Sequence, residues 1–478
     1  MSKKLFKNSS YYMIASLLPI TVSFIMLPIY SRYLTPEDYG VIALVLSLQA
    51  FLPLIMTFQI HSSISRFYFD YKDNLNNLNV FITTILVSAL ILASIVLFII
   101  ITYLENILYL ILPKTIGYND IFLLGIISTY FYIFTTAFIT ILRVQQKAKL
   151  FMKTSLYLFI ISLSVNVFEV IILERGSYGI LEASLIMSII SCIVYFWLIK
   201  EFTVMKFKFS IIIDPIKYSL PLIPHSMSGL IFMYSDRIIL EKYVTLSAIG
   251  LYMFSDKIAT VFKMIVNEFN NAFIPYFNEK SLVSKEEAIK DVQNISLYFI
   301  YFISMLIIFV ALFSVEMVYW LFDERYFSTW KMIPLLSSAY VFRSLYCFSS
   351  SGIFYEKKTG KIALITIFAG IANITLNIYL IPIYGIMIAI YTTIFSFFIT
   401  FVMSEIMSYK IYYLQLNIKK NIIIVTYMFS AIFFSLYLNN NFHEFGYIEY
   451  LYKMIVLMIG LAIGYRLGLL NFTKLLKI

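Results

Sequence analysis

Apolar stretches of about twenty residues recur along the whole chain, separated by short segments where charged and polar residues gather. A helix needs about 20 mainly apolar residues to cross the hydrocarbon core of a bilayer, so each stretch reads as a membrane span. Dividing the chain at its polar breaks predicts spans over 10–32, 41–63, 80–103, 120–142, 154–173, 179–199, 217–239, 248–271, 295–315, 331–353, 362–382, 385–407, 421–438 and 448–469. The expected fold is therefore all-α, a polytopic membrane protein of about fourteen transmembrane helices. The first stretch follows Lys3, Lys4 and Lys7, is too long for a signal-peptide core and lacks a small-residue cleavage site, so it reads as an uncleaved first span.

Composition narrows the class. Apolar residues make up 61% of the chain and charged residues 13%, against about 25% charged in a soluble domain. Too few charges are present to solvate a globular surface, which excludes a soluble enzyme. A net charge of +10 would ordinarily raise nucleic acid as a partner, but no basic patch sits on a foldable soluble module. The charge instead follows the positive-inside pattern. With the N-terminus inside, cytoplasmic segments hold about 25 of the 36 Lys and Arg and outside loops about eight. Both termini are expected in the cytoplasm. Cys192 and Cys347 lie within apolar runs and read as small buried hydrophobes.

An internal repeat divides the chain. RYLTPEDYGV at 32–41 aligns with KYVTLSAIGL at 242–251, and YGILEASL at 178–185 with YGIMIAIY at 384–391, at offsets of 210 and 206. Six spans per repeat is an even number, so the repeats run parallel and are related by an axis along the membrane normal. The expected organisation is a six-helix lobe over 1–209, a second over 210–409, and two additional helices over 410–478.

Ionisable residues within spans are costly unless they face a partner or a water-filled cavity. Asp256, Thr260, Lys263, Asn267 and Asn270 in span 8 recur at three- and four-residue spacing and so share one helix face. That face lines either a cavity or a contact with another helix. Lys257 and Glu268 lie off the stripe, near its ends, as a further cation and a further acid. Gln59, Ser63 and Arg66 fall on one face at the end of span 2, running into Asp70, and Ser16 and Ser23 share a face of span 1. His225 follows Pro221 and Pro224 in span 7 and titrates near neutral pH when unperturbed. It joins Asp256 and Glu268 as a candidate for proton coupling, or serves as an ordinary packing residue. Arg343 in span 10 is an additional cation. Glu169, Glu182 and Glu405 are candidate counter-charges or proton sites, and Asp236 and Arg237 read as an ion pair or loop cap. No metal-ligand spacing or nucleotide-binding loop is present in the sequence, and no cofactor is expected.

A series of motifs carries a family resemblance. LPIYSRYLTPEDYG (27–40) and SISRFYFDY (63–71) stand in the first half. SLPLIPHSM (219–227), SDRIILEKYV (235–244), IGLYMFSDKI (249–258) and NIYLIPIYGIMIA (377–389) stand in the second. Together they resemble the polysaccharide-exporter branch of the multidrug/oligosaccharidyl-lipid/polysaccharide superfamily, and most of all the O-antigen flippases. The resemblance covers nearly the whole chain. It implies two lobes around a cleft lined by spans 1, 2, 7 and 8. It also implies an undecaprenyl-pyrophosphate-linked oligosaccharide as substrate, moved across the inner membrane by alternating access. Membrane lipids would be partners, with polymerase and chain-length proteins of the same pathway, and nucleic acid would not. A pyrophosphate carries about two negative charges, which gives cations in a membrane cavity a purpose. Arg66, Lys263, Lys257 and Arg343 are the candidate cationic residues, and Ser16, Ser23, Gln59, Ser63, Asp256, Thr260, Asn267 and Asn270 the polar lining. Two alternatives stay open. A multidrug or cation exporter of the same superfamily would place acids in the first lobe, yet spans 1 and 2 contain no Asp or Glu. An O-antigen polymerase, a membrane glycosyltransferase, would carry a larger outside loop than the segments at 104–119 and 316–330 provide.

Overall fold

The computed structural model describes residues 11, 15, 18, 21–22, 24–115, 117–204, 206–441 and 447–470, except for the side chains at 225, 228, 232, 441, 447 and 448. Among the described residues every regular element is helical. The chain divides into two compact units at Gly250. The first contains α1 (Leu27–Tyr33), α2 (Pro36–Thr57), α3 (Ile64–Tyr71), α4 (Leu75–Thr102), α5 (Leu104–Ile111), α6 (Asn119–Val144), α7 (Ala148–Asn166), α8 (Gly176–Ile199), α9 (Ile213–Ser219) and α10 (Leu222–Tyr243). From its second turn onward α11 (Leu246–Val283) belongs to the second unit. That unit continues with α12 (Lys285–Leu312), α13 (Ser314–Leu321), α14 (Met332–Tyr355), α15 (Thr359–Tyr384), α16 (Ile386–Tyr409), α17 (Ile418–Asn441) and α18 (Tyr447–Arg466). The division falls one helix after the boundary expected from the repeat, because α10 packs against α2.

Nine helices among the described residues are long and apolar enough to cross a membrane: α2, α4, α6, α7 with the π-helical turn Val167–Ile172, α8, α12, α15, α16 and α17. Expected spans 7, 8, 10 and 14 correspond to α10, α11, α14 and α18, which are helical but richer in polar residues. The distribution of apolar side chains is that of a protein solvated by lipid. On α4, Leu90, Ile91, Ile95, Phe98 and Ile99 are exposed along one side while Ile82, Ile85, Ala89 and Ala93 are buried on the other. In water that exposed stripe would be an aggregation surface; in a bilayer it is the solvated face. On α14 nearly every side chain is buried, including Ser337, Ser338, Ser344, Ser349, Ser350 and Ser351. Their hydroxyls are satisfied largely by carbonyls three or four residues back, such as Ser337 to Ile333 and Ser344 to Tyr340. A helix enclosed by protein on all sides tolerates such residues without being strongly apolar.

Two local departures from the expected spans bear on the site. Span 2 was expected to be one helix over 41–63. Instead α2 stops at Thr57, Phe58 and Gln59 both adopt left-handed backbone (φ 47° and 55°), and a 3-10 turn over Ile60–Ser63 leads into α3. Apolar periodicity alone does not place such a break: the polar residues Gln59, His61, Ser62 and Ser63 thin the apolar run at this end of the span without marking where the helix stops. The inside loop expected at 272–294 is helical almost throughout. At about 1.5 Å per residue α11 runs about 57 Å, well beyond a hydrocarbon core of about 30 Å. Ser284 caps α12 by accepting from the Glu287 N–H (3.3 Å), and Lys280 bridges Glu287 (2.8 Å) and Asp291 (3.6 Å) across the turn. The hydrogen bond with Glu287 holds the Lys280 ammonium above its usual pKa.

The repeat is legible in helix boundaries. Tyr33 ends α1 as Tyr243 ends α10, and Pro36 opens α2 as Leu246 opens α11, each pair 210 residues apart. Thr35 and Thr245 cap these helices alike, accepting from the N–H groups of Asp38 (3.1 Å) and Ala248 (3.2 Å). The side-chain oxygen satisfies a donor that the first helical turn leaves without a partner.

Candidate functional site

The polar face of α11 is intact in the structure. Asp256, Thr260, Lys263, Asn267 and Asn270 are all half-buried, while Phe254, Ile258, Ala259, Phe262, Val266 and Phe273 turn into the protein. One continuous helix carries both faces, so the spacing read from sequence becomes a strip of polar groups along its axis. The Thr260 hydroxyl donates to the Asp256 carbonyl (2.9 Å). Asp256 and Lys263 are seven residues apart, about 10 Å along the axis, too far for a direct pair. Lys257 and Glu268 are half-buried beside the strip.

Arg343 joins this strip from α14. Its Nη2 donates to Asn267 Oδ1 (3.4 Å), and its guanidinium stands 5.9 Å from the Phe397 ring centroid on α16. Its Nε is buried with no hydrogen-bond partner among the described residues. One turn of helix, about 6 Å, separates Lys263 from Asn267. The second unit thus places two cations on one polar face, one with donor capacity to spare. A guanidinium presents its N–H groups as a planar fork suited to phosphate oxygens, and an ammonium adds a point charge.

The first unit treats its candidates differently. The helix break removes Gln59, Ser63 and Arg66 from a common helical face. Gln59 Nε2 donates to the Ser226 hydroxyl (3.0 Å), tying the end of α2 to α10. Ser63 was expected in the polar lining but is fully buried, its hydroxyl donating to the Ile60 carbonyl (2.6 Å) within the 3-10 turn. Arg66 is exposed on α3 and paired with Asp70 one turn on (2.9 Å). Ser16, Ser23 and the side chain of His225 lie outside the described residues. Among the counter-charges, buried Glu169 lies 3.7 Å from Arg175, whose guanidinium also binds Glu182. Both carboxylate oxygens of Glu405 are buried without a hydrogen-bond partner among the described residues. Asp236 and Arg237 are buried within α10, with the Arg237 N–H donating to Asp236 Oδ1 (2.8 Å).

Several polar groups escaped the sequence reading. Lys453 is fully buried and held by Glu316 and by Glu449 (2.6 Å), with the Phe313 ring 5.2 Å away. The four-residue spacing of Glu449 and Lys453 inside an apolar span was the available signal; Glu316, on α13, gave none. Asn373, Asn377, Thr392 and Ser396 form a neutral ladder between α15 and α16, Asn373 donating to Ser396 (3.1 Å) and Asn377 to Asn373 (3.1 Å). Fully buried Glu241 accepts from the Lys114 backbone N–H, and the Lys114 ammonium donates to the Val244 carbonyl (2.9 Å).

Comparison with known proteins places this arrangement. Residues 5–281 match the family described as polysaccharide biosynthesis protein. A protein of the Lsg locus of Haemophilus influenzae is 23% identical over 335 residues, which is 68% of this chain and 79% of that protein. The structure of the lipid II flippase MurJ in an inward closed conformation is similar with a TM-score of 0.73 at 16% identity, over 96% of this chain and 99% of that one. An inward-facing multidrug-resistance MATE transporter of the MOP superfamily is similar with a TM-score of 0.63 at 14% identity, over 83% and 98% of the two chains. The family match spans more than half of the chain and the fold likeness nearly all of it: this multi-pass membrane protein belongs to the polysaccharide biosynthesis protein family and has the fold of the MOP-superfamily transporters.

Proposed function

We propose that this protein is a flippase that moves a lipid-pyrophosphate-linked oligosaccharide across the inner membrane by alternating access, with both termini in the cytoplasm. The carrying observation is the polar strip of α11, where Lys263 and the Arg343–Asn267 contact put two cations beside uncharged hydrogen-bonding groups. Cations in a membrane interior are costly, and a substrate with a negatively charged head group offsets that cost. A family of polysaccharide biosynthesis proteins and a fold shared with a lipid II flippase support the same reading. The substrate we infer is an undecaprenyl-pyrophosphate-linked repeat unit of O-antigen type. Lys263 and Arg343 hold the pyrophosphate, while Thr260, Asn267 and Asn270 are available to sugar hydroxyls. The two lobes would be residues 1–209 and 210–409, with 410–478 as an additional helix pair.

Charge-assisted hydrogen bonds contribute about 1.5–3 kcal/mol each, so Lys263→Ala or Arg343→Ala lowers flipping about ten- to a hundredfold at unchanged membrane abundance. Lys263→Arg retains most of it. The measurement is leaflet-resolved analysis of the lipid-linked glycan in cells carrying each variant. Accumulation of a complete repeat unit on the cytoplasmic leaflet is the expected result. Accumulation on the outer leaflet would make the protein a polymerase instead, and normal export in both alanine variants would remove the cationic strip from the mechanism.

A further inference from the structure

Helix α17 buries one face and leaves its neighbouring face open. Ile424, Met428, Ile432 and Ser435 recur at three- and four-residue spacing and are buried, and the Ser435 hydroxyl donates to the Ala311 carbonyl of α12 (2.9 Å). On the neighbouring face, from Ile418 to Phe433, α17 stands off from α14 and α16, and a cleft of about 540 Å³ remains between the three helices. That volume lies in the range of sites that take a small molecule, about 300–1,000 Å³. Buried Phe342 and Leu345 close the cleft toward the protein, while Phe398, Ile422 and Phe433 on its rim are exposed to the surrounding lipid. At about 1.5 Å per residue the cleft runs about 22 Å along α17, about the depth of one leaflet with its head groups.

One end of the cleft is polar. Asn421 stands in the first turn of α17, at the end that the loop charges assign to the inner face. Its side chain lines the cleft and is only 4% exposed, and neither Nδ2 nor Oδ1 has a hydrogen-bond partner among the described residues. An amide buried with both ends unpaired is costly, and a ligand that accepts from Nδ2 and donates to Oδ1 removes that cost. Among the described residues no charged side chain lines the cleft, so a pyrophosphate finds no counter-charge in it. The cleft is also turned away from the cationic strip. Phe342 precedes Arg343 and Phe398 follows Phe397, and neighbours on a helix point about 100° apart. Phe342 and Phe398 meet edge to face on the cleft side, their ring centroids 5.3 Å apart.

We propose that this cleft binds one acyl chain of a diacyl glycerophospholipid from the inner leaflet. The ester carbonyl of that chain accepts from Asn421 Nδ2, and a head-group O–H or N–H donates to Oδ1. The walls are apolar and open to lipid, and the polar end lies at the level of the inner head groups. The buried polar group is a neutral amide, which suits an ester better than a phosphate. A polyisoprenoid carrier chain is far longer than the cleft and ends in phosphate, with no ester for the amide to meet. The site is separate from the substrate strip, and the proposal does not depend on the flippase reading.

The test uses the full-length protein in liposomes that contain phosphatidylethanolamine with a photoactivatable diazirine on one acyl chain, and labelled residues are mapped by mass spectrometry. Labelling should concentrate on Phe401, Val425 and Phe429 in the cleft, in excess of lipid-exposed positions such as Phe98 on α4. Val425→Trp fills the cleft and should lower that labelling about tenfold or more at unchanged membrane abundance. Asn421→Leu keeps the volume and removes the amide, so unlabelled phosphatidylethanolamine should compete about two- to tenfold less well. A diether analogue, which lacks the ester carbonyl, should compete less well with the native protein and show no further loss with Asn421→Leu. If Val425→Trp does not reach the membrane, the Asn421→Leu and diether comparisons decide the matter alone. Even labelling of the cleft and α4 that ignores Val425→Trp would leave only solvating lipid and overturn the proposal. Displacement by undecaprenyl phosphate but not by phospholipid would also overturn it, giving the cleft to the carrier chain. So would equal competition by ester and diether lipids with an unaffected Asn421→Leu variant.

Discussion

Lys453 has no exposed surface and lies between the carboxylates of Glu316 and Glu449. Burying three charges gains little over a well-packed apolar trio, but removing one member leaves uncompensated charge in a dry interior, which costs about 3–5 kcal/mol. Lys453→Met should therefore lower the thermal unfolding temperature in detergent markedly. The combined variant Lys453→Met, Glu316→Gln, Glu449→Gln should recover most of the loss. Equal stability of the single variant and the native protein would show that the triad does not hold α18 in place. Arg66 is the opposite case. Exposed and paired with Asp70 one turn away, it contributes about 0.3–0.5 kcal/mol to stability. Arg66→Ala should leave the unfolding temperature nearly unchanged, so any loss of glycan export in that variant reports on transport. The contrast shows what single residues disclose. Lys263 and Asp256 were read as ionisable groups in a span, whereas the Glu449–Lys453 spacing offered the same signal and was missed. That Glu316 closes the triad was invisible, because it stands 137 residues from Lys453 and only folding brings them together.

At the scale of elements, the helix starts obey local chemistry, although the apolar pattern alone placed spans 2 and 8 from 41 and 248, inside helices that begin at Pro36 and Leu246. Thr35 caps α2 in a reciprocal box with Asp38, whose carboxylate accepts from the Thr35 N–H (2.9 Å), ahead of a proline suited to the first turn. Thr245 makes the same cap on α11 without the acid. Thr35→Ala should cost about 1 kcal/mol or somewhat more, and Thr245→Ala less, because only the former loses both halves of a box. Differential scanning of the purified variants orders the two losses, and the reverse order would refute the capping account. Helix ends were harder to read. The stop at Thr57 depends on two non-glycine residues in left-handed backbone, held where Gln59 reaches Ser226 on α10. No glycine or proline marks Phe58 or Gln59, and a left-handed L-residue costs about 1–2 kcal/mol. A tertiary contact helps hold that conformation, so local sequence gives no notice of it.

For the molecule as a whole, the loop charges and the even number of expected spans predict that both termini face the cytoplasm. A fluorescent protein fused after Ile478 should fluoresce, and a phosphatase that folds only outside the cytoplasm should be inactive at the same position. An active phosphatase fusion would invert the topology. Taken alone, the sequence determined the solvent of this protein, its helical class, its repeat and the polar strip of α11. Each of these follows from periodicity and composition, which act over a few turns of helix or over the chain average. Tertiary structure alone decided that Ser63 is enclosed, that Arg343 meets Asn267, and that Glu316 meets Lys453. Those contacts join residues far apart in the chain, and their free energy depends on burial and geometry that no local pattern encodes.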